Sequence, residues 1–257
     1  LADTPRTHYI YASRRAARVS TIYCLADILE IANKHIYSTT IENYLWSRFG
    51  LEKGSVSETL IQEFGFSGGQ HPIGGKTSKD AIMGLVTALK DDILASSQRE
   101  REAYIKYLES HHLLSAKSSA LVDIGYAGSM QAALQRITNK KFLGLYFATF
   151  TTARNEALDV EDMRGYVAHL TTPSGSEYGI QSHRFVYESI FCAAHDSFIC
   201  IKENEFSLDP IFDKGENDDL RIALINQIHS GVEKFASIVS EEHSNIRDLR
   251  VEPKSAT

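Results

Sequence analysis

The chain is 257 residues long, carries a net charge of −6 and has the apolar content of an ordinary globular protein. That length allows one large α/β domain or two small ones around a substantial core. The acidic balance argues against a nucleic-acid partner, which needs a basic face, but leaves room for a local basic site. Cys24, Cys192 and Cys200 make no CxxC pair, and an odd count argues against a disulfide framework and for a reducing compartment. No run of about 18 apolar residues predicts a membrane span, and no signal peptide is visible, so a cytoplasmic location is expected. The first residue is Leu1, which reads as a piece of a longer multidomain protein.

Residues 8–12 are aromatic and β-branched, a strand candidate. They run into Ser13, Arg14 and Arg15. Paired arginines after a serine suit a polyanion, because each guanidinium offers a planar fork matching phosphate oxygens. The alternative is a solvated helix start, where the dipole prefers acids. Residues 22–32 and 41–49 carry helical apolar stripes, the second stopping at Gly50 as a C-cap. Trp46 reads as core. Ser57 and Glu58 open a third helix. Residues 65–79 are glycine-rich but fail the P-loop pattern, since Gln70 stands where a glycine is required, and read as a flexible loop. Ser78 to Leu114 is mostly helical, with Ile82, Leu85, Val86 and Leu89 on one stripe and Tyr104, Tyr107 and Leu108 on another. The run 98–102 reads as a solvated charged face, and His111 and His112 as a helix end.

Residues 118–135 organise the chain. Leu121 and Val122 suit a buried parallel strand ending at Asp123. Gly125 and Gly128 let the backbone turn sharply and approach a ligand. Ser129 is a plausible N-cap for a helix carrying Met130, Ala133, Leu134 and Ile137. Bare amides at such a helix start can hold an anion; an ordinary βα turn that binds nothing is the alternative. Residues 142–150 form a second strand, giving a βαβ unit with parallel strands. Residues 151–182 are polar and read as excursions and turns. Phe185, Ser189 and Cys192 then share a helical face with Glu188 near it. That carboxylate needs either an arginine partner or a catalytic or hydroxyl-binding role. His195, Asp196 and Ser197 are adjacent and cannot meet in triad geometry. Residues 198–213 read as a hairpin, 218–240 as a long amphipathic helix, and the tail from Glu241 as frayed.

Four segments together resemble a known module: Tyr9 to Ala16, Arg48 to Leu51, Val122 to Gln131, and Tyr187 with Glu188. The chain resembles the phosphoribosyltransferase-like ribofuranosyltransferases of bacterial polysaccharide assembly, which often sit beside a haloacid-dehalogenase-type phosphatase domain. The loop is also similar to the PRPP (phosphoribosyl pyrophosphate) loop of type I phosphoribosyltransferases, with one acid, Asp123, and Ile124 where a second acid would stand.

The resemblance implies a Rossmann-like parallel sheet flanked by helices, with a helical insertion at about 22–114. It implies transfer of ribofuranosyl 5-phosphate from PRPP to a sugar hydroxyl of a growing glycan, releasing pyrophosphate with inversion. Gly125, Tyr126 and the amides from Ala127 through Gly128, Ser129 and Met130 to Gln131 would hold the 5-phosphate. Asp123 would accept the ribose hydroxyls, and Ser13, Arg14 and Arg15 would bind the pyrophosphate, with Mg2+ assisting at the diphosphate. Glu188 is the first candidate base and Asp123 the second. Expected partners are PRPP, a lipid-linked acceptor glycan at the inner membrane face, and neighbouring phosphatase or glycosyltransferase domains. A nucleotide-sugar glycosyltransferase and a non-catalytic docking domain are the alternatives; the chain has no Asp-x-Asp metal motif for the former.

Overall fold

Local signals set the helices. Ser13 Oγ accepts the Ala16 N–H at 3.1 Å, so α1 (Arg14–Ser20) starts capped even with arginines in its first turn. Asp27 accepts the Tyr23 and Cys24 N–H groups at 2.8 and 3.2 Å and fixes the start of α2 (Leu25–Asn33). Thr40 caps α3 (Ile41–Phe49). That helix stops at Gly50, whose φ of 76° and close approach to Val19 and Glu100 admit no side chain. Then follow α4 (Glu58–Glu63), α5 (Lys79–Ala88) and α6 (Lys90–Ser110). The computed structural model describes residues 6–155, 159–172, 182–215 and 218–242.

Ile28, Ile41, Leu45, Phe49, Leu85 and Val86 pack a helical core, each worth about 1.5–3 kcal/mol over leaving it exposed. A second core joins Tyr104, Tyr107 and Leu108 of α6 to Leu134, Ile137, Phe142 and Phe198. The glycine-rich loop differs from its reading as flexible. Strands β1 (Thr39–Thr40) and β2 (Pro72–Ile73) pair antiparallel across it. The Gly69 N–H donates to the Glu58 carboxylate at 3.1 Å, and Phe66 and Ile73 are buried. Residues 8–12 form no strand either. Tyr107 Oη accepts the Tyr11 N–H and Tyr104 Oη donates to the Tyr11 carbonyl, so tyrosine hydroxyls replace a strand neighbour. The Tyr11 ring lies among Tyr107, Phe198 and Phe212.

The run 98–102 is solvated at Gln98, Arg99 and Glu102, but Glu100 and Arg101 turn inward. Ser97 Oγ and Arg101 donate to the carbonyls of Val19, Ser20 and Ile22, satisfying the open end of α1, and Glu100 turns inward to Arg15.

The chain is mixed α/β. Strands β3 (Ala120–Asp123), β4 (Leu143–Phe150) and β5 (Met163–Thr171) form one parallel sheet in that order, with α7 (Ser129–Thr138) between the first two, compatible with a Rossmann-like fold. Asp123 lies opposite Tyr146 in the register. Two readings are corrected here. The polar segment after Phe150 contains β5, reached through the short 3-10 turns Thr151–Asn155 and Val160–Asp162. And β3 is parallel but not buried, since Val122 is 83% exposed. The hairpin is present as β6 (Ser197–Glu203) and β7 (Leu208–Asp213).

By contacts along the chain, Leu1–Pro173 with Ser197–Asp213 form one compact unit and Ser174–Asp196 with Lys214–Thr257 a second. In the second, α8 (Arg184–Phe191) packs on α9 (Asp218–Glu242), and Arg221 ties the two ends by donating to the His195 carbonyl at 2.8 Å. The expected frayed tail lies, beyond Glu242, outside the described residues. Among the described residues no helix is long and apolar enough to cross a membrane.

Candidate functional site

The turn from β3 into α7 is built from glycine geometry. Asp123 Oδ1 accepts the Gly125 N–H at 3.0 Å, which folds the chain back over the carboxylate. A Cβ on Gly125 would stand 3.1 Å from Asp123 Oδ2, so a side chain there would crowd that oxygen. Tyr126 tethers the turn: its carbonyl accepts the Phe150 N–H, and its ring stacks on Phe150 with centroids 4.8 Å apart. Gly128, with φ 74°, is the N-cap of α7, a role expected of Ser129. The first helical bond runs from the Ala132 N–H to the Gly128 carbonyl at 2.9 Å. Because glycine supplies no capping oxygen, the amides of Ser129, Met130 and Gln131 have, among the described residues, no side-chain cap at the positive end of the helix.

Gln131 contributes only its amide. Its side chain is 1% exposed, with Nε2 donating to the Phe142 carbonyl and Oε1 accepting from Tyr146 Oη, both at 2.8 Å. It is a strut between α7 and β4. The strut also explains Gly144, where a Cβ would overlap Gln131 Oε1. Burial pushes the Tyr146 hydroxyl pKa well up, and the Asp123 charge adds to it. Tyr146 therefore stays a neutral donor beside the carboxylate.

The residues assigned to pyrophosphate separate. Ser13 spends its hydroxyl on the α1 cap. Arg15 makes a two-pronged pair with Glu100 at 2.8 and 2.9 Å and donates to the Ile199 carbonyl at 3.0 Å. The two side chains are only 11% and 13% exposed. Arg15 thus commits its two terminal guanidinium nitrogens to Glu100 and the Ile199 carbonyl, while its buried Nε has no hydrogen-bond partner among the described residues. Burial pushes the Glu100 carboxyl pKa up, and the Arg15 bonds and charge pull it back in part. Burial likewise lifts the nearby Cys200 thiol to about 11, with Glu100 adding to the rise, which leaves it unreactive.

Arg15 and Glu100 wall a groove of about 720 Å³ whose lining includes Trp46, Glu52, Arg99 and Lys202; neither Asp123 nor any residue of the Gly125–Gln131 turn lines it. Trp46 is therefore a groove wall, flanked by Arg15 at 5.3 Å and Lys53 at 4.8 Å, and not part of the core. Arg14 is different from Arg15. One residue earlier on α1, it is exposed.

Glu188 belongs to the second unit. Its helix buries no residue, and Phe185, Val186 and Phe191 are exposed, so the apolar setting expected around this carboxylate is absent. Among the described residues Glu188 has no ion pair and no group of three or more His, Cys, Asp or Glu side chains is placed to hold a metal.

No protein-family model and no curated protein matches this chain. Sequence reasoning passed over Arg18 and Tyr44, both of which feel the charge of Arg48. The only sequence signal for them is spacing: Arg14 with Arg18, and Tyr44 with Arg48, each four apart on a helix.

Proposed function

We propose that this chain is a glycosyltransferase of the type I phosphoribosyltransferase-like kind, moving ribofuranosyl 5-phosphate from PRPP to a sugar hydroxyl of a growing bacterial polysaccharide. The observation that carries the reading is the β3–α7 turn. One carboxylate ends the strand, and three amides with no side-chain cap among the described residues start the helix two glycines later. The amides of Ser129, Met130 and Gln131 hold the 5-phosphate as a helix N-terminus holds anions. Asp123 accepts hydrogen bonds from the ribose 2- and 3-hydroxyls and steadies the positive charge that builds at the anomeric carbon.

In the step itself the acceptor oxygen forms a bond to the anomeric carbon as the bond to pyrophosphate breaks. Pyrophosphate leaves with the electron pair, and attack from the opposite face inverts the centre. The acceptor proton goes to a carboxylate, for which Asp123 is the candidate within this unit. Magnesium would neutralise the departing diphosphate. The 5-phosphate stays on the product, where a phosphatase can remove it.

Incubation of the protein with PRPP, Mg2+ and a panel of acceptor saccharides tests this. The expected result is pyrophosphate release with a mass gain of one ribose phosphate. Asp123→Ala abolishes both without unfolding the protein. Wild-type turnover in that variant removes Asp123 from the mechanism, and no pyrophosphate release with any acceptor counts against the reading as a whole.

A further inference from the structure

Arg14 and Arg18 lie four apart on α1, and Tyr44 and Arg48 four apart on α3, and the two helices pack against each other. Among the described residues none of the three arginines has an ion pair. Arg48 donates from Nη2 to the His35 carbonyl at 3.1 Å, which orients it and leaves its other donors open. Tyr44 is 2% exposed, yet its hydroxyl has no hydrogen-bond partner.

This arrangement is costly in the unliganded protein. A buried hydroxyl without a partner loses its hydration for nothing. Gathered like charges repel, and among the described residues none has a carboxylate to offset it. The guanidinium pKa of Arg18 is lowered by burial first, then by the charges on Arg48 and Arg14. Burial also lifts the Tyr44 hydroxyl to about 12, against the opposing pull of Arg48 and Arg18, so all three groups share one neighbourhood. Contrast Arg15, one residue along, whose two terminal nitrogens pair with Glu100.

We propose that Arg14, Arg18 and Arg48, with the Tyr44 hydroxyl as an additional donor, form a binding site for a diphosphate group. An oxyanion there would accept from the guanidinium forks and from Tyr44 Oη at once, removing both costs. Three cations match a diphosphate better than a single phosphate. The assignment stands on the cluster and not on ribosyl transfer. Where that transfer also operates, these residues replace the Arg14–Arg15 pair as the seat of the leaving group.

The test is calorimetric titration of the intact protein with inorganic pyrophosphate, inorganic phosphate serving as the comparison. Saturable pyrophosphate binding is expected, tighter than phosphate by about tenfold or more. Arg18→Ala with Arg48→Ala weakens it at least about tenfold, and Tyr44→Phe weakens it several-fold. Arg18→Lys with Arg48→Lys, which keeps charge but loses the forks, weakens it too and serves if the double alanine variant fails to fold. No saturable binding to wild type overturns the proposal. So does binding within twofold of wild type in the folded arginine variants. Pyrophosphate binding without transferase activity upholds this site while the ribosyl-transfer reading fails.

Discussion

Arg14 and Arg15 are neighbours in sequence and opposites in the fold. Arg15 lies on a face of α1 that meets α6, where Glu100 takes two of its donors and the Ile199 carbonyl shares one. Arg14 shares its face with Arg18, and Arg18 feels the charge of Arg48 and acts on the buried Tyr44 hydroxyl, with no acid paired to it among the described residues. The same residue type serves the fold in one place and is left unsatisfied in the other. The difference teaches how to separate scaffold from site: a polar group that the fold satisfies is structural, and one that it gathers at a cost awaits a ligand. The β3–α7 turn repeats the contrast, with the Gln131 side chain spent on Phe142 and Tyr146 while its amide has no side-chain cap among the described residues.

The largest effect expected from breaking this contrast is at Arg15. Arg15→Ala strands Glu100 in a buried place and costs about 3–5 kcal/mol in denaturant unfolding. Arg15→Met combined with Glu100→Leu recovers most of that loss, and failure to recover would show that the guanidinium's bond to Ile199 matters more than the pair. Gln131→Leu leaves the Phe142 carbonyl and the Tyr146 hydroxyl unmatched and costs roughly 1–3 kcal/mol by the same measurement. Tyr44→Phe runs the other way. It removes an unpartnered buried hydroxyl and stabilises the free protein by about 1 kcal/mol. A loss of stability there would mean the hydroxyl has a partner in solution and would blur the contrast.

Asp27 extends the structural side to pH. Burial alone would raise its carboxyl pKa, but the Arg136 hydrogen bond and charge, with the Tyr23 and Cys24 bonds, hold it below its ordinary value of 3.8. Its stabilising contribution is therefore complete above that value and lost as pH falls through the lowered one. Thermal melts between pH 5 and about 2 should show a shallower fall for Asp27→Asn than for wild type. The smallest effect is at Arg18: Arg18→Gln relieves like-charge repulsion and raises stability by about 0.2–0.5 kcal/mol, read from the unfolding midpoint.

Helices were legible because their apolar period is strong. Ile82, Leu85, Val86 and Leu89 are all buried, as their spacing predicts. The β3–α7–β4 unit was legible through Asp123 and the glycines. What was hidden depended on distant partners. β5 carries Arg164, His169 and Thr171, so no apolar alternation marks it. Tyr9 to Tyr11 alternate like a strand, but the alternation serves an aromatic cluster. The run 98–102 looks solvated because nothing local says that Glu100 and Arg101 face α1. Arg18 and Arg48 are thirty residues apart, and only the packing of α1 on α3 unites them.

Titration of PRPP into the wild-type protein, Asp123→Ala and the Arg18→Ala, Arg48→Ala double variant reads the central claim most directly. One saturable site is predicted, weakened about tenfold or more by the Asp123 change through the ribose and by the arginine changes through the diphosphate. Wild-type protein that does not bind PRPP, or binding that neither set of changes alters, would contradict it.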